Sequence, residues 1–347
     1  MDRSFINRLK QDRYFDHLST DSFQYTNSLY HRLMVQSDRW RFGDLYGLCY
    51  LPQYRFELEP YKKYFKSDTT KVTGRDLYLI GDSYLADKQM DGAFKGFDRV
   101  IFLDDRFPFG PLVLDRSRQS YLVLEFAERN LNEYDFDKTT ETKCLPPELQ
   151  TGQNLDLLHK PSGTVQALSF WQRFCNIFFN KDISRNLETL LFENTIFTPS
   201  KELKAELNYK LIGSLPKEVV ISTDQRRLLM NATVDMTNQL SSFRKFDNME
   251  LTVLNKNLNN AAKYYRSIGF KKIFLSVIPN PVSIYEDKRM QYNHLLERLE
   301  KTTTLPVISV FDDFKKTKQN LFYRSDTHWN PDGFDKWINA VNHKKLY

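Results

Sequence analysis

Short, uninterrupted apolar runs separated by segments of helical periodicity dominate the chain from residue 76 onward. Leu77-Tyr78-Leu79-Ile80, closed by Gly81, predicts a buried strand followed by a turn. Val100-Ile101-Phe102-Leu103, stopped by Asp104-Asp105, predicts a second strand, and Tyr121-Leu122-Val123-Leu124 a third. Lys272–Ile278, ended by Pro279-Asn280-Pro281, predicts a fourth, and Pro306–Val310 a fifth. Runs without apolar–polar alternation suit strands buried on both faces. Leu251, Leu254, Leu258, Ala261, Ala262 and Tyr265 follow helical spacing up to Gly269, a natural stop. Tyr292, Leu295, Leu296 and Leu299 mark another helix. This alternation predicts an α/β fold with an open, largely parallel sheet flanked by helices.

Two stretches fall outside that rhythm. Residues 1–75 read as an N-terminal helical extension, aromatic and charged, with a helix over Ser22–Trp40. Residues 76–347 read as the α/β domain. Within it, about 131–246 predicts an insertion between the third and fourth core strands. The insertion holds an aromatic helix (Phe170, Trp171, Phe174, Phe178, Phe179) and a hairpin over Lys217–Met230 around Thr223-Asp224. It reads either as a lid or substrate-facing wall, or as a structural subdomain.

Composition narrows the function classes. The 347 residues carry a formal net charge of +6, with Lys and Arg dispersed among acidic residues. That pattern predicts a mixed, solvated surface and no nucleic-acid partner. No apolar run approaches the roughly 18–20 residues needed to cross a bilayer, so no transmembrane segment is expected. Met1-Asp2-Arg3-Ser4 is not followed by the apolar region of a signal peptide. Cys49, Cys144 and Cys175 are too far apart for a redox pair or a zinc knuckle, although one disulfide stays open. His17, His31, His159, His294 and His343 show no metal-ligand spacing, and no metal site or cofactor is expected.

Two short motifs carry chemistry. Gly81-Asp82-Ser83-Tyr84 sits where the first buried strand ends. Ligands of open α/β sheets bind outside the carboxyl ends of the strands, so Ser83 is placed for nucleophilic attack with its own N–H nearby. Alone the signal is weak, because Gly-Asp-Ser occurs by chance in roughly one chain in ten of this size. The second motif is Tyr323-Arg324-Ser325-Asp326-Thr327-His328-Trp329-Asn330-Pro331-Asp332-Gly333. Asn330 caps a helix with Pro331 at its first position, and Phe334, Trp337, Ile338 and Val341 supply its apolar face. Asp326 and His328 therefore lie on the loop entering the last helix. Such a loop can fold back over the strand ends, where Asp326 orients the imidazole and His328 takes a proton from Ser83. A capping carboxylate and a surface histidine are the plainer reading of either residue alone.

Together these motifs resemble the SGNH/GDSL hydrolase superfamily. The segment Asp-Thr-His-Trp-Asn-x-x-Gly is similar to the branch containing bacterial alginate O-acetyltransferase proteins and their relatives. Leu122–Leu131 and Ile278–Tyr285 also look like segments of that branch, and the resemblance spans roughly Asp76 to Asn342. The Asp-x-His spacing matches that branch, whereas ordinary GDSL hydrolases have Asp-x-x-His. The order of the motifs, serine first, is the ordinary superfamily one.

The resemblance implies a three-layer α/β/α fold and a Ser83–His328–Asp326 triad. It also implies an oxyanion hole made by the Ser83 N–H, a glycine after the second strand and an asparagine after the third. Gly110 and Asn130 are the candidates for the last two, with Arg129 as a cationic substitute or a substrate ligand. Glu128 and Arg129 are equally readable as a structural ion pair, and Asn280 as a loop-shaping residue. Asp82, Tyr84, Arg129 and Trp329 are candidate substrate-binding residues. The implied activity is serine-dependent O-acyl transfer or acetyl-ester hydrolysis on a bacterial polysaccharide or acylated sugar. A cell-envelope, periplasmic-side location and a membrane-bound acyl-exporting partner follow from the same resemblance. Two alternatives stand beside it: an inactive carbohydrate-binding scaffold on the same fold, and an esterase of small acyl esters.

Overall fold

The computed structural model describes residues 38–66, 73–86, 88–106, 109, 112–138, 196–344 and 346–347. The helix expected over Ser22–Trp40 lies almost wholly outside them, as do the aromatic helix Phe170–Phe179, Gly110, Cys144 and Cys175. In chain order the elements begin with α1 (Asp38–Phe42), α2 (Asp44–Cys49), β1 (Arg75–Gly81), β2 (Arg99–Asp104) and β3 (Gln119–Ala127). There follow α3 (Glu128–Leu131), α4 (Thr198–Ile212), β4 (Val219–Ile221), β5 (Leu228–Met230) and α5 (Asn248–Ile268). The last are β6 (Lys272–Ile278), α6 (Pro281–Tyr285), α7 (Leu295–Thr302), β7 (Val307–Ile308), α8 (Phe311–Lys316) and α9 (Pro331–His343). None of the described helices is long and apolar enough to cross a membrane.

The described residues divide into two compact units. The larger contains residues 61–138, 220–323 and 327–347 and is built on the sheet. Its five strands run in the order β2-β1-β3-β6-β7, and every adjacent pair is parallel. The register brings Ile80 opposite both Leu103 and Leu124, and Leu124 opposite Leu275. Side chains along β1, β3 and β6 are buried almost without interruption, as expected for strands covered on both faces. The protein is therefore α/β, with a parallel sheet flanked by helices.

Strand order also locates a crevice. From β1 the chain steps outward to β2, then crosses back over β1 to lay down β3. This reversal makes the carboxyl ends of β1 and β3 the topological switch point, where loops diverge and leave room for a ligand. At the opposite end, Arg118 joins Asp76 (2.8 Å) and Asp98 (2.6 Å), pinning the starts of the first three strands.

Two helices fix the sheet's far half. A reciprocal capping box starts α5: Asp247 accepts from the Glu250 N–H, and Glu250 accepts from the Asp247 N–H, both at 2.8 Å. Gly269, at φ +123°, ends it. The predicted stripe from Leu251 to Tyr265 is its buried face. For α9, Asn330 accepts the Gly333 N–H at 3.0 Å, and Trp337 reaches Ser276 of β6 with its indole N–H at 2.9 Å.

Residues 38–60, 196–219 and 324–326 form the second unit, built on α1, α2 and α4. Here α2 receives the short segment Arg324–Asp326 at its amino end. Leu45 and Tyr46 donate their N–H groups to the Ser325 carbonyl at 3.1 and 3.0 Å, and Asp44 donates to the Asp326 carboxylate at 2.8 Å. Three of the four donors that a helix leaves unpaired at its start are thus satisfied by one loop tip. Gly43 makes the approach possible: a Cβ there would come within 2.2 Å of the Ser325 oxygen, and its φ of +101° suits glycine alone. Cys49 is a buried free thiol, pushed up to about 11 by its burial.

Candidate active site

Strand β1 ends at Gly81, and the chain turns at once. Leu85 and Ala86 return their N–H groups to the Asp82 carbonyl at 3.1 and 3.2 Å, so Ser83 stands on a tight turn at the switch point. The turn is anchored at both shoulders. Asp82, 4 % exposed, accepts the Tyr84 N–H at 2.9 Å and the Asn130 side-chain amide at 2.8 Å. Ser83 itself is half-buried, with its hydroxyl open to a partner.

That partner comes from the other end of the chain. Phe322 and Trp329 form an antiparallel bridge, and Tyr323 donates its N–H to the His328 carbonyl at 3.1 Å. The bridge closes a narrow loop with His328 on its returning arm. The His328 Nε2 lies 2.8 Å from the Ser83 Oγ. Two further bonds knit the same segments: the Tyr84 hydroxyl donates to the Thr327 carbonyl at 2.6 Å, and the Trp329 indole N–H to the Tyr84 carbonyl at 3.1 Å. The Tyr84 ring also packs on the imidazole at 4.9 Å and edge-on to Trp329 at 5.3 Å. Residues 243 to 245 positions apart are thereby held in hydrogen-bond register.

The individual sequence candidates fall into distinct places. Ser83 and His328 meet. Asp326, 7 % exposed, belongs to the smaller unit, where it accepts the Asp44 N–H. On the imidazole's other nitrogen, the Thr327 hydroxyl sits 3.5 Å from Nδ1, at the outer limit of a hydrogen bond. Asn130 lies exposed on α3, tied to Asp82 as described. Arg129, on the same short helix, sets its guanidinium 5.4 Å above the Tyr84 ring. Gly110 lies outside the described residues.

Two expected substrate ligands have other work. Tyr84 and Trp329 are both 0 % exposed, which leaves them no surface to offer a substrate. They support His328 from behind. The Glu128–Arg129 ion pair read from the sequence gives way to separate partners. Glu128 accepts the Asn280 N–H at 2.7 Å and the Ser283 hydroxyl at 2.6 Å, while Arg129 turns to Tyr84. Asn280 opens α6 ahead of Pro281 and gives its side-chain amide to Ser242 at 2.9 Å.

Sequence reasoning passed over the buried carboxyl of Glu125 near these strand ends and read Glu128 only as an ion-pair partner of Arg129. Burial raises the Glu128 carboxyl to about 7, against the lowering effect of the Ser283 and Asn280 donors. Burial, followed by the negative charges of Asp82 and Asp105, raises Glu125 well above the ordinary carboxyl range. The available signal was a glutamate inside the apolar run Tyr121–Ala127, where a charge is costly.

No family model matches the chain, and searches of the curated proteins and of the solved structures found no match.

Proposed function

We propose that the protein is a serine-dependent O-acyltransferase or acetylesterase of the SGNH/GDSL type, acting on a bacterial polysaccharide through an acyl-serine intermediate. The observation that carries this reading is the 2.8 Å separation of Ser83 Oγ and His328 Nε2 at the carboxyl end of β1. A serine hydroxyl is a weak nucleophile until a base within hydrogen-bond reach takes its proton.

In the proposed first step His328 Nε2 accepts the Ser83 proton as Oγ attacks the ester carbonyl carbon. The carbonyl π electrons move to oxygen, giving a tetrahedral oxyanion. The Ser83 N–H is one donor to it. Asn130 is the second: an amide NH2 has two donors, and one N–H given to Asp82 leaves another for substrate. Gly110 keeps its proposed place as a third donor on the strength of the motif. Collapse of the oxyanion breaks the ester C–O bond, and the imidazolium returns its proton to the leaving oxygen. In the second step a sugar hydroxyl or water, giving its proton to His328, attacks the acyl carbon; the acyl C–Oγ bond breaks, the imidazolium returns the proton to Oγ, and Ser83 is regenerated. Asp326 is assigned to orient and stabilise the imidazolium by its place in Asp-Thr-His, two residues before the base.

The polysaccharide acceptor, the cell-envelope location and the acyl-exporting membrane partner rest on the resemblance of the Asp326–Gly333 segment. Hydrolysis of p-nitrophenyl acetate tests the chemistry. Wild type is expected to turn the ester over, and Ser83→Ala to fall to background. Equal rates in the two proteins would overturn the proposal.

A further inference from the structure

Glu125 stands in the middle of the parallel sheet, between Leu124 and Phe126 on β3, and it is 0 % exposed. Its Oε2 accepts the Asp82 N–H at 3.2 Å. The same oxygen occupies the notch that Gly81 leaves, 2.3 Å from where a Cβ would stand. Its Oε1 is buried without a hydrogen-bond partner. The carboxyl thus touches the backbone of the two residues that precede Ser83.

The charges around this carboxyl are unfavourable to an anion. Asp82 on the turn and Asp105 beyond β2 face it as negative groups, and Lys88 is the cation that acts on it. Arg106 pairs with Asp104 at 2.6 Å and is drawn to Asp82 and Asp105 as well. No ion pair reaches Glu125 among the described residues. A lone carboxylate here would keep one oxygen unpaired in a dry site beside two other carboxylates, and a proton on the group removes that charge.

We propose that Glu125 is a positioning residue for Ser83: a neutral carboxylic acid that fills the Gly81 notch and holds the Asp82 amide without placing a third negative charge beside Asp82 and Asp105. The inference rests on the acyl-transfer reading and deepens it. The chain of contacts runs from Glu125 to the Asp82 N–H, and from the Asp82 carboxylate to Tyr84 N–H and Asn130. Glu125 therefore acts on both the nucleophile's turn and the proposed oxyanion donor without touching substrate. Ionisation of Glu125 repels Asp82 and Asp105 and loosens the turn. Glutamine, neutral at every pH, keeps an acceptor for the Asp82 N–H.

Two experiments separate this inference from the activity it serves. The first needs no turnover: amide hydrogen exchange in the peptide spanning Gly81–Leu85, in wild type and Glu125→Gln, across the whole pH range in which the protein stays folded. The ratio of wild-type to variant exchange is expected to rise with pH as Glu125 ionises. A ratio constant with pH overturns the proposal. The second is the pH profile of p-nitrophenyl acetate hydrolysis. Glu125→Gln is expected to match wild type at the pH where Glu125 holds its proton and to escape the decline that wild type shows as Glu125 ionises. Glu125→Ala, with the turn unanchored, is expected to lose about 10²-fold at all pH values. Equal losses in the Gln and Ala variants would reduce Glu125 to a space-filling role and overturn the proposal. Should wild type hydrolyse nothing, the acyl-transfer reading fails on its own, and the exchange ratio still decides whether Glu125 governs the turn.

Discussion

Glu128 shows how much a single buried carboxyl shapes this protein. Its native value of about 7 lies above its ordinary 4.5, so the folded state binds the proton more tightly than the unfolded chain. The stability linked to this proton is fully present below the ordinary value and is lost as pH rises through about 7. Wild type is expected to lose on the order of 3 kcal/mol from this group across that window, and Glu128→Gln to lose none of it. Urea unfolding of both proteins at mildly acidic and mildly alkaline pH checks the sign. A wild type that gains stability relative to the variant as pH rises contradicts it. Ser83 and His328 were legible as residues because each sits in a short motif whose letters carry the chemistry. Glu125 and Glu128 were not: a carboxylate normally ends a buried run, and only the fold reveals that both stay inside it.

At the scale of elements, Glu125 explains why β3 outruns its predicted end. The apolar pattern places the strand's close at Leu124, yet β3 continues through Glu125 to Ala127 and hands directly to α3. Neutralisation and backbone donors let the strand carry polar groups where a charge would have stopped it. Other boundaries moved for local reasons. Tyr292 lies ahead of α7 because His294 takes a left-handed conformation (φ +57°) at the helix start, and the Tyr292 hydroxyl accepts the Leu296 N–H at 3.2 Å. The predicted strand Pro306–Val310 shrinks to Val307–Ile308, since Val310 already turns into α8. By contrast, β6 spans Lys272–Ile278 as read, because its apolar run is bounded by a proline and carries no competing signal.

The loop tip that carries Asp326 is likewise fixed by an element, the amino end of α2. Gly43→Ala forces a side chain to within 2.2 Å of the Ser325 oxygen and strains a backbone at φ +101°. The variant is expected to lose about 1–3 kcal/mol of stability from overpacking alone. Its turnover is expected to fall too, because Ser325 and Asp326 lead into the segment that bears His328. Denaturant unfolding together with ester hydrolysis checks both; unchanged values on both counts would show that the tip tolerates displacement.

Over the whole molecule, function depends on strand order as much as on motifs. The β2-β1-β3-β6-β7 arrangement reverses direction between β1 and β3, and that reversal sets the Ser83 turn beside α3, which bears Arg129 and Asn130. Alternating strands and helices announced a parallel sheet, but nothing in an apolar run says which strand is its neighbour. The order had to come from the fold. Closing the long loop between the two motifs is unfavourable in chain entropy, and the sheet with its capped last helix is what offsets it. The buried bonds of Tyr84 and Trp329 then set the final alignment.

The proposed chemistry requires that Ser83 becomes acylated. Intact-mass spectrometry after brief exposure to p-nitrophenyl acetate, followed by peptide mapping, tests it most directly. One added acetyl group is expected on Ser83 in wild type and none in Ser83→Ala. An adduct on any other residue, or an equal adduct in both proteins, would contradict it.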